Sequence, residues 1–395
     1  MLGKPLEGLF VLDLTRVLAG PFCTMLLCDM GAAVVKVERP DEGDDSRSFS
    51  PFVGEESAYF MSINRGKKSI TLNLKTEEGK KLLERLIERS DVLVENFRPG
   101  VFERLGFSAE RLKEMNPRLI YTCSSGFGHS GPMSQRTAYD LIIQGLSGIM
   151  SITGPDEQYP TKVGSSIADI FCGTFACIGI LAALQSRNST GSGQKVDVAM
   201  LDSMVAVLEN AIARYAATGE IPTPIGNRHP SIAPFSSFET LDGMINIAVG
   251  NDGIWKKFCK AIERADICED PRFANNPSRV KNIDQLMEII GVQLKKKTSK
   301  EWLGTFEALD IPSGKINNVA DLFEDEQIKA REMIVEVTHR NGTVKMPGVP
   351  IKFSETPASI SGPAPLLGEH NEEIYSGMLG ISLEEIEELH EKGVI

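Results

Sequence analysis

Over its first third the chain alternates short β-branched runs with helical stretches, and that alternation leaves few folds open. Phe10–Leu14, Ala33–Glu38, Ser69–Leu74, Val92–Val94 and Leu119–Cys123 read as strands. Between them the sequence predicts a helix from Pro21 to Met30, entered through a proline in its first turn, and another from about Glu77 to Arg89. The second carries Leu82, Leu83, Leu86 and Ile87 on one stripe, with Glu and Lys opposite. Strands separated by amphipathic helices pair in parallel, so the expected fold class is α/β.

Domains follow from changes in composition along the 395 residues, a length that suggests two or three domains at roughly 100 to 200 residues each. From about Gly164 to Gln185 the residues turn small and apolar, as in buried helices. A Gly/Ser turn at Ser189–Gly193 then leads into Lys195–Val198 and one long helix through Tyr215. Gly219–Pro230 concentrates Gly and Pro, which marks a domain crossing. The boundaries read from this are a large domain over 1–218, a smaller α+β domain over 226–325 and a return segment over 326–395 that packs on the large domain. The small domain is expected to hold a hairpin from Phe235 to Ala248, turning near Asp242-Gly243, and a helix from Lys281 to Leu294.

Charge and cysteine usage remove several function classes. Lys and Arg number 42 against 54 Asp and Glu, a net charge of −12, whereas nucleic-acid binding needs a broad cationic face. Seven cysteines, with no C-x-x-C pair, point to a reduced cytoplasmic protein without structural zinc. The opening residues carry no cleavable apolar segment, and the uncharged run Ile170–Leu184 falls short of the roughly 18 residues a membrane span needs, so neither export nor a membrane partner is expected.

Several residues are candidates for chemistry. The turn after the first strand, Thr15–Pro21, lacks the G-x-G-x-x-G that brings backbone against a pyrophosphate, which disfavours a nicotinamide or flavin enzyme. Arg16, Arg39, Lys75, Arg98 and Arg104 each fall at a strand end or loop, and strand ends on one side of a parallel sheet converge. They are either one polyphosphate site or ordinary surface charge. Asp169 stands at the entry to the small-residue stretch, as a helix N-cap or as a nucleophilic carboxylate that small neighbours leave open to a bulky thioester. His129 and His229 read as loop residues, and Cys172 and Cys177 as small core hydrophobes.

A set of ordered motifs resembles the family III CoA-transferases, the group of the formyl-CoA and carnitine CoA-transferases with the α-methylacyl-CoA racemases as relatives. They are Leu6-Glu7-Gly8, Val11 to Pro21, Lys36 to Pro40, Asn64 to Ile70, Val94 to Gly100, Thr190 to Gln194 and Leu366 to His370. The resemblance implies a Rossmann-like large domain, a small domain and two chains interlocked as a homodimer. It implies coenzyme A along the strand ends, touched by Val17, Leu18, Arg39, Leu72, Asn73, Leu74, Lys75, Asn96, Phe97, Arg98 and Arg104. Asp169 matches the family's nucleophile, and no metal or redox cofactor is implied.

Tyr139 stands where the racemases place a proton-shuttling histidine, and tyrosine is a poor base at neutral pH. Phe49 replaces a tryptophan of the formyl-CoA:oxalate enzymes, and Asn246–Gly253 lacks their four glycines, which puts oxalate as acceptor in question. Gly43–Arg47, Ser231–Pro234 and Ile316–Val319 are more similar to the branch that moves CoA from succinyl-CoA to glutarate and other dicarboxylates. A diacid acceptor needs a cation for its distal carboxylate, for which Arg47 and Arg228 are the candidates beside Tyr139 and Phe49. The expected activity is transfer of CoA from an acyl-CoA to a free carboxylic acid through Asp169. A racemase-type isomerase and a non-catalytic acyl-CoA-binding protein remain as alternatives.

Overall fold

The computed structural model describes residues 3–395, which form two compact units. The larger comprises the chain up to Ile149 together with Lys162–Gly219 and Glu326–Ile395; the smaller comprises Met150–Thr161 and Glu220–Asp325.

The larger unit is built on β1 (Phe10–Asp13), α1 (Ala19–Asp29), β2 (Ala33–Glu38), β3 (Lys68–Thr71), α2 (Glu77–Ile87), β4 (Val92–Glu95), α3 (Ala109–Met115), β5 (Ile120–Ser125), α4 (Asp140–Ser147), α5 (Ile167–Thr190) and β6 (Lys195–Ala199). The six strands pair in parallel in the order β3-β2-β1-β4-β5-β6. This is the mixed α/β architecture with a parallel central sheet that the alternation requires. The strands run outward from β1 in one direction and from β4 in the other, which opens a crevice at their carboxyl ends where β1 meets β4.

Each sheet face buries a separate apolar layer. On one, Leu12, Val35, Ile70 and Leu93 meet Leu82, Leu83, Leu86 and Ile87 of α2, the stripe read from the sequence. On the other, Val11, Val34, Val92 and Ile120 meet Cys23 and Leu27 of α1 and Ala176, Cys177 and Ile180 of α5. The last stretch of chain ties back to the same unit: Ser359 N–H donates to Asp29 O, His370 N–H to Ser69 O and Asn73 N–H to Val394 O at 2.8–3.0 Å.

Two helices differ from the sequence expectation. The stretch after β6 is not one helix but α6 (Met200–Val207) and α7 (Glu209–Thr218), broken at buried Leu208, whose ψ of 22° leaves the helical range. α5 spans 24 residues, so by length and composition it can cross a bilayer, although the uncharged run within it is shorter. In this structure it lies along α1, with Ala168, Cys172, Ala176 and Ile180 fully buried. A Cβ on Gly173 would stand 2.5 Å from the Ala19 carbonyl oxygen, so only glycine lets the two helices approach this closely.

The smaller unit contains β7 (Phe235–Glu239), β8 (Met244–Ala248), α8 (Asp252–Ala261), α9 (Ile283–Leu294), α10 (Ser299–Glu307) and β9 (Ser313–Lys315). Its antiparallel sheet, ordered β9-β8-β7, turns at Asp242-Gly243, where Thr240 N–H donates to Gly243 O. Trp255, Phe258, Trp302 and Phe306 fill its core.

Candidate active site

The turn after β1 rests on buried charge. Asp13, at the end of β1, is fully buried and accepts from Thr24 Oγ1 at 2.6 Å and Lys67 Nζ at 3.0 Å. Lys36 of β2, equally buried, donates to Thr15 O and pairs with Asp44, both at 2.7 Å. Burial opposes ionisation of both carboxyls, yet Lys67 and Lys36 hold Asp13, and Lys36 holds Asp44, below the usual carboxylate range.

Asp44 also accepts the Val17 backbone N–H at 3.0 Å. Val17 has φ of 67°, in the left-handed region, where a β-branched residue costs about 1–3 kcal/mol unless its surroundings impose it. The Lys36–Asp44 pair therefore shapes the Arg16–Leu18 turn. Asn96, just past β4, fastens the same turn from the other side: its Oδ1 accepts Arg16 N–H at 3.0 Å and its Nδ2 donates to Arg16 O at 2.8 Å.

Two cavities open at these strand ends. One, about 550 Å³, is lined by Arg39, Leu72, Asn73, Leu74, Lys75, Val101 and Leu105. The other, about 540 Å³, is lined by Val17, Leu18, Asn96, Arg98, Arg136, Tyr139 and Asp169. Arg16 and Phe97 line both. The structure thus gathers most of the sequence candidates around one divided site, and leaves Arg104 lining neither cavity. Arg39 spends its half-exposed guanidinium on Glu42 and Asp45, at 3.1 and 3.0 Å, whereas Lys75 and Arg98 have no ion-pair partner among the described residues.

Asp169 lies in the first turn of α5 but does not cap it. Ser166 occupies the N-cap position, and the Ala168 N–H donates to Asp140 Oδ1 at 2.9 Å. The N-cap reading is thereby corrected: Asp140 performs the capping from α4 and leaves the Asp169 carboxylate to the cavity. Burial, followed by the neighbouring charge of Asp140, pushes the Asp169 carboxyl up to about 7. Tyr59, which the sequence reading did not single out, is pushed up to about 12, first by burial and then by the charge of Asp169. Phe49 packs edge-on against Tyr59, ring centres 5.5 Å apart.

The two acceptor cations chosen from sequence are otherwise engaged. Arg47 Nε and Nη2 donate to the Glu38 carboxylate at 2.8 and 2.7 Å, Nη2 also donates to Pro365 O, and the guanidinium lies 3.8 Å over the Phe60 ring. Its donors are consumed by Glu38 and the chain's own backbone, so it is not an open carboxylate reader. Arg228 belongs to the smaller unit and pairs with Asp284 at 3.2 Å. Arg136, missed because it sits in a loop with no motif, lines the Asp169 cavity, makes no ion pair among the described residues and rests 5.6 Å over Phe127.

Comparison with known proteins identifies the family. Residues 6–371 match the family model described as CoA-transferase family III. The chain is 44% identical over 351 residues to an acetyl-CoA:oxalate CoA-transferase of Acetobacter aceti, covering 89% of each. It is 41% identical over 381 residues to a succinate–glutarate CoA-transferase of Agrobacterium fabrum, covering 94% of this chain and 95% of the relative. A crystal structure of a CAIB/BAIF family protein from Brucella suis superposes with a TM-score of 0.84 at 41% identity, covering 95% of this chain and all of that one. The chain belongs to CoA-transferase family III, and with it to the transferases.

The raised Asp169 value has a consequence for stability. The unfolded chain gives up this proton near the ordinary 3.8, the folded chain only near 7, so folding is progressively disfavoured as pH climbs between them and the cost is complete above. Asp169→Asn should therefore raise the melting temperature most at pH 8 and keep less than half of that gain at pH 5. Equal gains at both pH values would show that Asp169 titrates normally.

Proposed function

We propose that this protein moves CoA from an acyl-CoA to a free dicarboxylic acid, with Asp169 as the covalent nucleophile. The observation that carries the reading is the Asp169 carboxylate, relieved of capping by Asp140, standing in a cavity that shares Arg16 and Phe97 with the Arg39–Lys75 cavity. The CoA nucleotide occupies the latter, near Arg39, Lys75 and Arg98, and the thioester reaches past Arg16 and Phe97 to Asp169.

The steps balance without a net proton. The Asp169 carboxylate attacks the thioester carbonyl, the carbon–sulfur bond breaks, and an acyl-aspartyl anhydride and CoA thiolate result. The thiolate attacks the aspartyl carbonyl and expels the donor acid as its carboxylate, which leaves an aspartyl-CoA thioester. The acceptor carboxylate attacks that thioester and frees the thiolate, which takes the acceptor's acyl group and regenerates Asp169. Each attack by Asp169 needs its ionised form, so turnover should rise as pH passes about 7. No step calls for a metal or a redox cofactor.

Both relatives above act, by their names, on acids with two carboxylates, and oxalate is one of them. With Arg47 committed to Glu38, Arg136 is the cation we assign to the distal carboxylate. A homodimer, interlocked as the family resemblance implies, is part of the same reading. It is supported by apolar side chains left open on the larger unit, among them Ile142, Leu146, Ile178, Ile212 and Tyr215. A cytoplasmic setting is supported by the seven cysteines standing as free thiols.

Asp169→Ala should lose transferase activity by several orders of magnitude and still bind CoA, and hydroxylamine should convert Asp169 of the working enzyme to its hydroxamate with release of CoA. Near-normal turnover of the variant would end the mechanism. Arg136→Met should raise the diacid KM by roughly 10- to 100-fold, as loss of a charge-assisted contact implies, with little change for a monoacid. A KM raised equally for both acids would remove Arg136 from acceptor selection. Sedimentation should return the mass of two chains at micromolar concentration, and a single-chain mass with full activity would refute the dimer.

A further inference from the structure

β4, β5 and β6 set Glu95, Cys123 and Asp197 side by side in register on one sheet face. The loop after β5 brings His129 over them, its backbone N–H donating to Asp197 Oδ2 at 3.0 Å. A carboxylate oxygen of Glu95, the Cys123 sulfur and a ring nitrogen of His129 then lie within 4.8 Å of one another. Glu95 is 1% exposed, Cys123 0% and the His129 side chain 9%. The transfer chemistry uses none of the three.

The imidazole is the informative member. Its Nδ1 meets Lys195 Nζ at 3.1 Å, while its Nε2 is buried with no hydrogen-bond partner, 3.9 Å from Glu95 Oε1. That separation is too long for a hydrogen bond. It is close to the span between neighbouring ligands of one tetrahedral ion, where bonds of about 2.0–2.3 Å put ligand atoms about 3.3–3.8 Å apart. Tyr121 Oη and the Phe97 N–H donate to the two oxygens of Glu95, at 2.9 and 2.6 Å, and so fix the plane of its carboxylate.

We infer that Glu95, Cys123 and His129 form a binding site for one divalent transition-metal ion, with a fourth position open to water. One oxygen, one sulfur and one nitrogen donor suit zinc, and poorly suit magnesium or calcium, which take oxygen ligands. Binding forms a metal–sulfur bond as the Cys123 thiol proton leaves to solvent. The imidazole coordinates in its neutral form through Nε2, so its proton moves to Nδ1, and Lys195, exposed at the surface, swings away. Burial pushes both the Glu95 carboxyl, to about 7, and the Cys123 thiol upward, and a dication between them offsets the cost of their ionisation. Chain spacing does not reveal this site, because its ligands come from two strands and a loop.

The test is a titration of the full-length, chelator-treated protein, held reduced by a phosphine, with Zn²⁺ by calorimetry and with Co²⁺ by absorption. The expected result is saturation at one equivalent, a thiolate-to-cobalt band in the near ultraviolet with tetrahedral visible bands, and proton release on binding. His129→Gln and Cys123→Ser, melting as the wild type does, should each weaken binding by at least the roughly 10- to 100-fold that even outer partners of a metal site contribute. Should Cys123→Ser fail to fold, His129→Gln and the wild-type cobalt spectrum decide the matter alone. No saturation at one equivalent, a cobalt spectrum without the thiolate band, or unchanged affinity in the folded variants would overturn the site.

Discussion

Beneath the turn that follows β1, two buried ion pairs, Lys67 with Asp13 and Lys36 with Asp44, carry the architecture of the site. Buried pairs of this kind are weak sources of net stability, because desolvating two charges offsets much of their attraction. Their value here is positional. Asp44 holds Val17 in a backbone conformation a β-branched residue avoids, and Lys36 spans β2 to the Thr15 carbonyl. Removing one member would leave a fully buried charge without compensation, a loss of about 3–5 kcal/mol, and would release the turn that lines both cavities.

From that turn the division of the site follows. Arg16 and Phe97 stand between the two cavities, one supplied by β1 and the other by β4, the strands that flank the point where the sheet order reverses. Residues far apart in sequence meet there because parallel strands all deliver their carboxyl ends to one edge. The loop Asn96–Arg98 has a double role: Asn96 ties down the Arg16 backbone, and Phe97 is held through its own N–H by Glu95. Ionisable groups thus work on both sides of the sheet edge, with Asp13 and Asp44 under one turn and Glu95 under the other.

Much of this was legible in the chain itself. The strands, the α2 stripe of Leu82, Leu83, Leu86 and Ile87, and the hairpin turning at Asp242-Gly243 are local consequences of apolar periodicity and turn chemistry, and they stand where the pattern puts them. The strand-end cations were recognisable as a group, since a parallel sheet makes such positions converge. What failed was anything decided by competition among partners. The capping of α5 passed to Asp140, and Arg47 was drawn into Glu38 and over Phe60. No spacing rule announces either event, because each depends on which side chain from another element arrives first at hydrogen-bond distance.

Sequence alone determined the class of fold, the family and the presence of a carboxylate at Asp169, since periodicity, ordered motifs and residue identity are properties of the chain read in order. Only the tertiary structure decided which charges are free to act. It buried Lys36 and Lys67 as supports, occupied Arg47, left Arg136 lining the Asp169 cavity, and brought ligand atoms of Glu95, Cys123 and His129 within 4.8 Å of one another. The physical reason is that a charge's role depends on its desolvation and on its nearest partner, and both are set by packing between segments distant in the chain.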